Sequence, residues 1–272
     1  MAAPFVSAAP CVPAGPSASA FSAWSALRGV ERLSLCDWPG KTCAVLFFGG
    51  CNLRCPHCHN AGIAWTPERH PELFAPDVRK LLSVRSKWLD GIVVSGGEPT
   101  LVPDLADFLA FLRGYGLPVK LDTNGSRPEV VAELLAAGLV DAVSVDVKAP
   151  FAKYSAATGE RLDPVAAQAC LTRVFALAVA HPGRFFFRTT ATPQVGPRDL
   201  DAIRALLPDR HVLTVQPYVQ TSEEGSHATA DTQTRRTRGD LVARTDRPGD
   251  PEGAQGQRSE RPDPGQAAGR QG

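Results

Sequence analysis

The chain has 272 residues, 43% of them hydrophobic, and a formal net charge of +1 at pH 7. That bounds it to one sizeable domain, or one domain with tails, with enough apolar residues for a real core. The charge balance gives no electrostatic reason to expect nucleic acid or an anionic membrane as partner, and no apolar run is long enough to span a bilayer.

The N-terminal stretch MAAPFVSAAPCVPAGPSASAFSAWSALRG is rich in Ala, Pro and Ser. It lacks the basic start and continuous apolar segment of a secretory signal, and Pro interrupts it repeatedly. Residues 1–29 read as a flexible leader and 30–220 as the core domain. The chain carries seven cysteines, an odd number, and three of them cluster too tightly for a disulfide framework. A reducing cytoplasm with thiolate ligands fits better.

From there strand-like and helix-like stretches alternate. TCAVLFFGG (42–50) is a short apolar run ending in Gly. PDVRKLLSVRSKWL (76–89) has helical spacing at Val78, Leu81, Leu82 and Trp88. GIVVSGG (91–97) is a buried strand running into a glycine turn, and PDLADFLAFLRGYG (103–116) a helix with Pro near its start and Gly at its end. Strand PVKLDTNG (118–125), helix RPEVVAELLAAG (127–138) and strand DAVSVDVK (141–148) follow. Helix 163–183, strand RFFFRTTAT (184–192), helix 196–208 and strand HVLTVQPY (211–218) complete the pattern. Six strands with helices between them imply a parallel sheet, because parallel strands need crossovers. Six units are fewer than the eight of a closed α/β barrel, which leaves an open partial barrel or a doubly wound sheet. In either, the loops after the strand C-termini form the site. Residues 221–272 contain no Phe, Tyr, Trp, Ile or Met. Such a segment cannot bury enough apolar surface to offset its ordering entropy, so it reads as a disordered tail.

The segment GGCNLRCPHCHN sets Cys51, Cys55 and Cys58 in a C-x3-C-x2-C pattern directly after the first of these strands. Thiolates suit zinc and iron–sulfur clusters. Zinc sites usually show two separated pairs, and no second C-x2-C occurs. A [4Fe-4S] cluster normally takes four thiolates; with three, one iron keeps an open position for a small ligand. The bland alternative is a zinc knuckle using His57 or His59. Cys36, Cys43 and Cys170 read as small buried hydrophobes, Cys11 falls in the leader, and His181 and His211 stand isolated.

The triplet, together with SGGEPTL (95–101) at the end of the next strand, resembles the radical S-adenosylmethionine (radical SAM) enzymes. SLCDWPGKTCAVLFFGGCNLRCPHCHN looks like the opening of the activating enzymes of anaerobic ribonucleotide reductase and of pyruvate formate-lyase. LDTNG (121–125) and DAVSVDVK (141–148) resemble strand ends of the formate-lyase type. The resemblance covers roughly residues 30–218 and implies a partial (β/α)6 barrel with a [4Fe-4S] cluster and S-adenosylmethionine. It implies that Cys51, Cys55 and Cys58 ligate three irons, that His57 lies by the adenine, and that Gly96, Gly97 and Glu98 hold the amino end of the cofactor. Asp122, Thr123 and Asp146 match positions that hold a monovalent cation beside the cofactor carboxylate, and hard oxygen ligands suit such a cation. Lys148 and Arg188 match basic positions that could meet that carboxylate. The alternative for the aspartates is turn capping at strand ends.

The activity so implied is a cytoplasmic, oxygen-sensitive oxidoreductase that cleaves the cofactor reductively and removes a glycine α-hydrogen from a large glycyl-radical enzyme. Anaerobic ribonucleoside-triphosphate reductase is the expected partner, and a flavodoxin- or ferredoxin-type protein the electron donor. Two rivals stand beside it. One is activation of another glycyl-radical enzyme, or chemistry on a small molecule such as a pterin-derived nucleobase precursor. The other is a non-catalytic iron–sulfur or zinc module, against which the Gly-Gly-Glu-Pro turn argues.

Overall fold

A computed structural model of the chain describes residues 22–219. Most of the expected leader, Cys11 and the expected tail lie outside the described residues. The leader gives way to folded chain sooner than expected. Helix α1 (Ala23–Ala26) and strand β1 (Leu27–Ser34) precede the first predicted strand. Ala23, Ala26 and Leu27 are buried, and Ala23 N donates to Asp104 Oδ1 at 2.7 Å. β1 has no alternating pattern of its own, and two register irregularities interrupt its antiparallel pairing with β2 (Cys43–Phe48). The pairing, more than its own composition, makes it a strand.

All six predicted strands are present: β2, β3 (Gly91–Gly96), β4 (Val119–Thr123), β5 (Ala142–Asp146), β6 (Phe185–Ala191) and β7 (Leu213–Pro217). Between them run α2 (Ala61–Trp65), α3 (Ala75–Arg85), α4 (Leu105–Arg113), α5 (Pro128–Ala136), α6 (Tyr154–Ala157), α7 (Pro164–Ala180) and α8 (Pro197–Leu206). Local signals set the ends of the long helices. Asp163 Oδ1 accepts from Val165 N and Ala166 N at 2.9 Å, with Pro164 at the first helical position. α4 buries Leu105, Phe108, Leu109 and Leu112, the spacing of one helix face. α3 is shorter than expected: it ends at Arg85, and Trp88, read as part of its apolar face, is exposed.

The strands lie in the order β1 to β7, with β2 to β7 all parallel. A doubly wound sheet reverses its strand order at a switch point; this order never reverses, so the open partial barrel is the fold. Crossovers of one hand put the helices on one face. Side-chain alternation then sorts each strand into two faces. Ala44, Leu46, Phe48, Ile92, Val94, Val119, Leu121, Val143 and Val145 join the main core under the helices. Cys43, Val45, Val93 and Ala142 form a second, smaller core with Trp38, and Phe47 and Phe186 pack against it. Further along the same inner face come Ser95, Lys120, Asp122, Asp146 and Arg188. The barrel interior is therefore apolar toward the strand N-termini and charged toward their C-termini.

Candidate active site

The cysteine loop leaves β2 through Gly49 and Gly50, and it is held at both ends by backbone contacts that only glycine allows. A Cβ on Gly97 would lie 1.9 Å from Gly50 O, and one on Gly96, whose φ is +120°, 2.2 Å from Phe48 O. Gly97 N donates to Phe48 O and Glu98 N to Gly50 O, both at 2.8 Å. The two Gly-Gly pairs of the sequence are therefore one contact, turn against turn. On its other side the loop is tied by Arg54 N donating to Thr158 O at 3.0 Å, where a Cβ on Gly159 would lie 2.1 Å from Arg54 O. Leu53 is buried in the main core between these ties.

Cys51, Cys55 and Cys58 line one cavity of about 330 Å³ at the C-terminal end of the parallel strands, within the size range of small-molecule sites. Gly96, Gly97, His57, Asp122, Thr123, Asp146, Lys148 and Arg188 line it too. Burial pushes the Cys51 thiol up to about 12, and the charge of Glu98 adds to the rise. Burial likewise raises Cys55 and Cys58. A positively charged group that bound them would have to displace their protons.

Glu98 is the one expected site residue that does not face the cavity. It is fully buried, and its carboxylate accepts from Thr100 N (3.1 Å), the Thr100 hydroxyl, Thr123 Oγ1 (2.7 Å) and Asn124 N (2.7 Å). Burial raises its pKa against the pull of these donors. Its visible task is to pin the turn after β3 to the loop after β4. Asn124 Nδ2 continues the link to Asn52 Oδ1 at 2.9 Å, and Asn52 Nδ2 donates to Ser126 Oγ at 2.9 Å.

Asp122 and Asp146 stand in a charged row along the inner face. Arg188 joins them, with Nη1 3.0 Å from Asp122 Oδ2 and Nε 2.5 Å from Asp146 Oδ1. Lys148 Nζ lies 2.7 Å from Asp146 Oδ2. Lys120, wholly buried, pairs with Asp122 Oδ1. Burial alone would raise the Asp146 pKa, but Arg188 and Lys148 outweigh it and hold the carboxyl well below the usual range. Burial likewise works against the Lys148 charge, and Asp146 overrides it, leaving Lys148 above the usual lysine range. A carboxyl depressed in the folded state contributes stability above its unfolded pKa of about 3.9, and that contribution falls away as pH drops toward the folded value. Asp146→Asn is expected to lower the urea midpoint at pH 7. The gap between parent and variant should hold down to about pH 4 and narrow below it; a gap that closes by pH 6 would mean that Asp146 is not held ionised.

The expected role of His57 beside an adenine meets a neighbour the sequence did not suggest. Tyr218, just past β7, sets its ring 4.9 Å from His57, edge-on, and 5.9 Å from His59, stacked. Other expectations divide. Cys43 and Cys170 are buried as read, whereas Cys36 is exposed beside Ser34 and Asp37 and is not a core residue. Sequence reasoning missed Lys120, Ser95 and Asn124. The alternation in VKLDT, which puts Lys120 and Asp122 on one face, was the signal that could have found the first.

These residues fit a three-thiolate cluster with a small polar cofactor. His57 Nε2 and Thr189 Oγ1 both belong to the cavity lining and are buried without a hydrogen-bond partner among the described residues, as donors and acceptors awaiting a ligand are. Among the described residues no three His, Cys, Asp or Glu side chains converge on one ion-sized point.

The sequence profile of the radical SAM superfamily matches residues 45–212. A candidate glycyl-radical enzyme activating enzyme of Methanocaldococcus jannaschii is 34% identical over 197 residues, 71% of this chain and 79% of that one. The pyruvate formate-lyase-activating enzyme of Clostridium pasteurianum is 34% identical over 127 residues, 45% of this chain and 52% of that one. Among solved structures, TYW1 with a lysine–pyruvate adduct bound aligns at a TM-score of 0.47 and 16% identity over 67% of each chain.

Proposed function

The chain belongs to the radical SAM superfamily and is an oxidoreductase of the glycyl-radical-activase type, and on that premise we propose that it activates anaerobic ribonucleoside-triphosphate reductase. The observation that carries the reading is the meeting of three thiols with a two-glycine turn in one cavity at the strand C-termini. The choice of partner draws on the segment from Ser34 to Asn60, which looks like the opening of that activase. Among the described residues β1 and β7 do not pair with each other and leave the sheet open along one side, and a glycine-bearing loop of a large partner needs lateral entry.

When bound through Cys51, Cys55 and Cys58, a [4Fe-4S] cluster and S-adenosylmethionine supply reductive carbon–sulfur cleavage and hydrogen-atom abstraction. The chain's own part is placement. Gly96 and Gly97 let main chain approach the cofactor's amino end. Arg188 and Lys148 present cations to its carboxylate. His57 presents an unpaired ring nitrogen to the same cavity, and the ties at Gly50 and Arg54 keep the cysteine loop in register. We place the protein in the cytoplasm with a flavodoxin- or ferredoxin-type donor. In support, Cys36, Cys43, Cys51, Cys55 and Cys58 are free thiols. No described helix is long and apolar enough to cross a membrane.

The test is anaerobic. Protein reconstituted with iron and sulfide, reduced and given S-adenosylmethionine should yield 5′-deoxyadenosine. With the reductase present it should yield an organic-radical electron paramagnetic resonance signal on the reductase. Cofactor cleavage that leaves the reductase silent would refute the choice of partner. A protein that assembles a cluster and leaves the cofactor intact would refute the activase reading.

A further inference from the structure

Two strand-end aspartates with an adjacent threonine are the donor set expected to hold a monovalent cation beside the cofactor, and the geometry of this chain does not fit one. Every oxygen of the set is already engaged. Asp122 Oδ1 carries the Lys120 ammonium, and Oδ2 carries Arg188 Nη1 at 3.0 Å and the Ser95 hydroxyl at 3.2 Å. Asp146 Oδ1 carries Arg188 Nε at 2.5 Å, and Oδ2 carries Lys148 Nζ at 2.7 Å. Thr123 Oγ1 donates to Glu98 at 2.7 Å and accepts from Gly125 N at 3.1 Å. The charges of the row are two carboxylates against Lys120, Lys148 and Arg188, a surplus of one positive charge. A further cation would meet repulsion and few free lone pairs.

Lys120 differs from the other two basic groups. It does not line the cavity, and its side chain is wholly buried, one inner-face position nearer the strand N-terminus than Asp122. Its strand neighbour in register is Val93, a member of the small apolar core below. An ammonium so enclosed stays only because a carboxylate pairs with it, and loss of either partner leaves an uncompensated buried charge.

We infer that Lys120 is a built-in substitute for the monovalent cation. It holds Asp122 from beneath and turns its second oxygen to Arg188, so that the surplus positive charge of the row faces the carboxylate of the cofactor. Lys120 is a positioning residue, acting through Asp122 and Arg188. The inference rests on the proposed function only for the identity of that carboxylate.

The experiment uses the full chain reconstituted anaerobically, in potassium chloride and in choline chloride at equal ionic strength. The parent should bind S-adenosylmethionine equally in both salts, and thallium(I) NMR should show no saturable line broadening by the parent. Lys120→Thr removes the ammonium and leaves room for an ion. In choline its affinity for the cofactor should fall about ten- to a hundredfold, the scale of one charge-assisted hydrogen bond, and potassium should restore most of it. Lys120→Met, which fills the space without charge, should lose affinity in both salts. Three results would overturn the inference: parent binding that depends on potassium, saturable thallium binding by the parent, or a Lys120→Thr chain that matches the parent in choline. If neither variant folds, the parent's two readouts still decide. If the parent binds no S-adenosylmethionine in either salt, the proposed function fails while the thallium result still judges the cation.

Discussion

A Cys55→Ala chain is expected to fold and yet to hold little iron. The cysteine loop owes its position to backbone ties and to one buried leucine: Arg54 N on Thr158 O, Glu98 N on Gly50 O, and Leu53 in the core. The Cys55 thiol contributes to none of these. Removing it deletes a small, half-buried group, for which about 1 kcal/mol or less is the expected loss. Its effect on the site is of another order. Changes merely around a metal ligand cost about 10- to 100-fold in affinity, and a cluster left with two thiolates should lose at least that. Iron and sulfide per chain and the visible absorption of the cluster should fall at least about tenfold, while the far-ultraviolet circular dichroism matches the parent. A full cluster in Cys55→Ala would refute the ligand role. Loss of the fold would show that the loop depends on its thiols.

Gly97→Ala should damage both stability and site, by a different route. The added Cβ would meet Gly50 O at 1.9 Å. Neither partner is a flexible side chain, so the two turns must separate. Overpacking of this kind costs about 1–3 kcal/mol, and a backbone-on-backbone clash belongs at the upper end. The separation also moves the residue that precedes Cys51, so cluster loading and S-adenosylmethionine binding should fall with the melting temperature. Gly116 provides the comparison. Its φ is +74°, but nothing lies within 4 Å of its would-be Cβ. Gly116→Ala should therefore carry only the left-handed backbone penalty of about 1–2 kcal/mol and leave cluster loading at the parental level. Equal loading in the two variants would mean that the turn-on-turn contact does not position the cysteine loop.

Cys36 shows how far composition misleads. As a free cysteine it reads as a small buried hydrophobe, but it sits exposed after β1, with its sulfur 3.4 Å from Ser34 Oγ. Glu98 misleads in the opposite sense. The resemblance implies that it helps Gly96 and Gly97 hold the amino end of the cofactor, and four donors from Thr100, Thr123 and Asn124 occupy its carboxylate away from the cavity. In both cases the residue type was legible and its neighbours were not.

The sequence by itself determined the six parallel strands, the five longer helices between them and the place of the candidate site. Period-2 and period-3.6 apolar patterns report which face of each element is buried, and a parallel sheet puts its loops together at one end. The cysteine spacing and the two Gly-Gly pairs were equally plain, because each is local. Tertiary structure decided what locality cannot express. β1 is a strand because β2 is beside it, and Tyr218 reaches His57 only because β7 closes the row of parallel strands. The pattern of VKLDT puts Lys120 on one face with Asp122, and that face is buried only once β4 is flanked by β3 and β5. Then the inner face has no water for its ammonium, and Asp122 becomes its necessary partner. A strand's own pattern says which side chains share a face, but the charges across that face are set by strands distant in sequence, and their pairing energy exists only once the sheet has assembled.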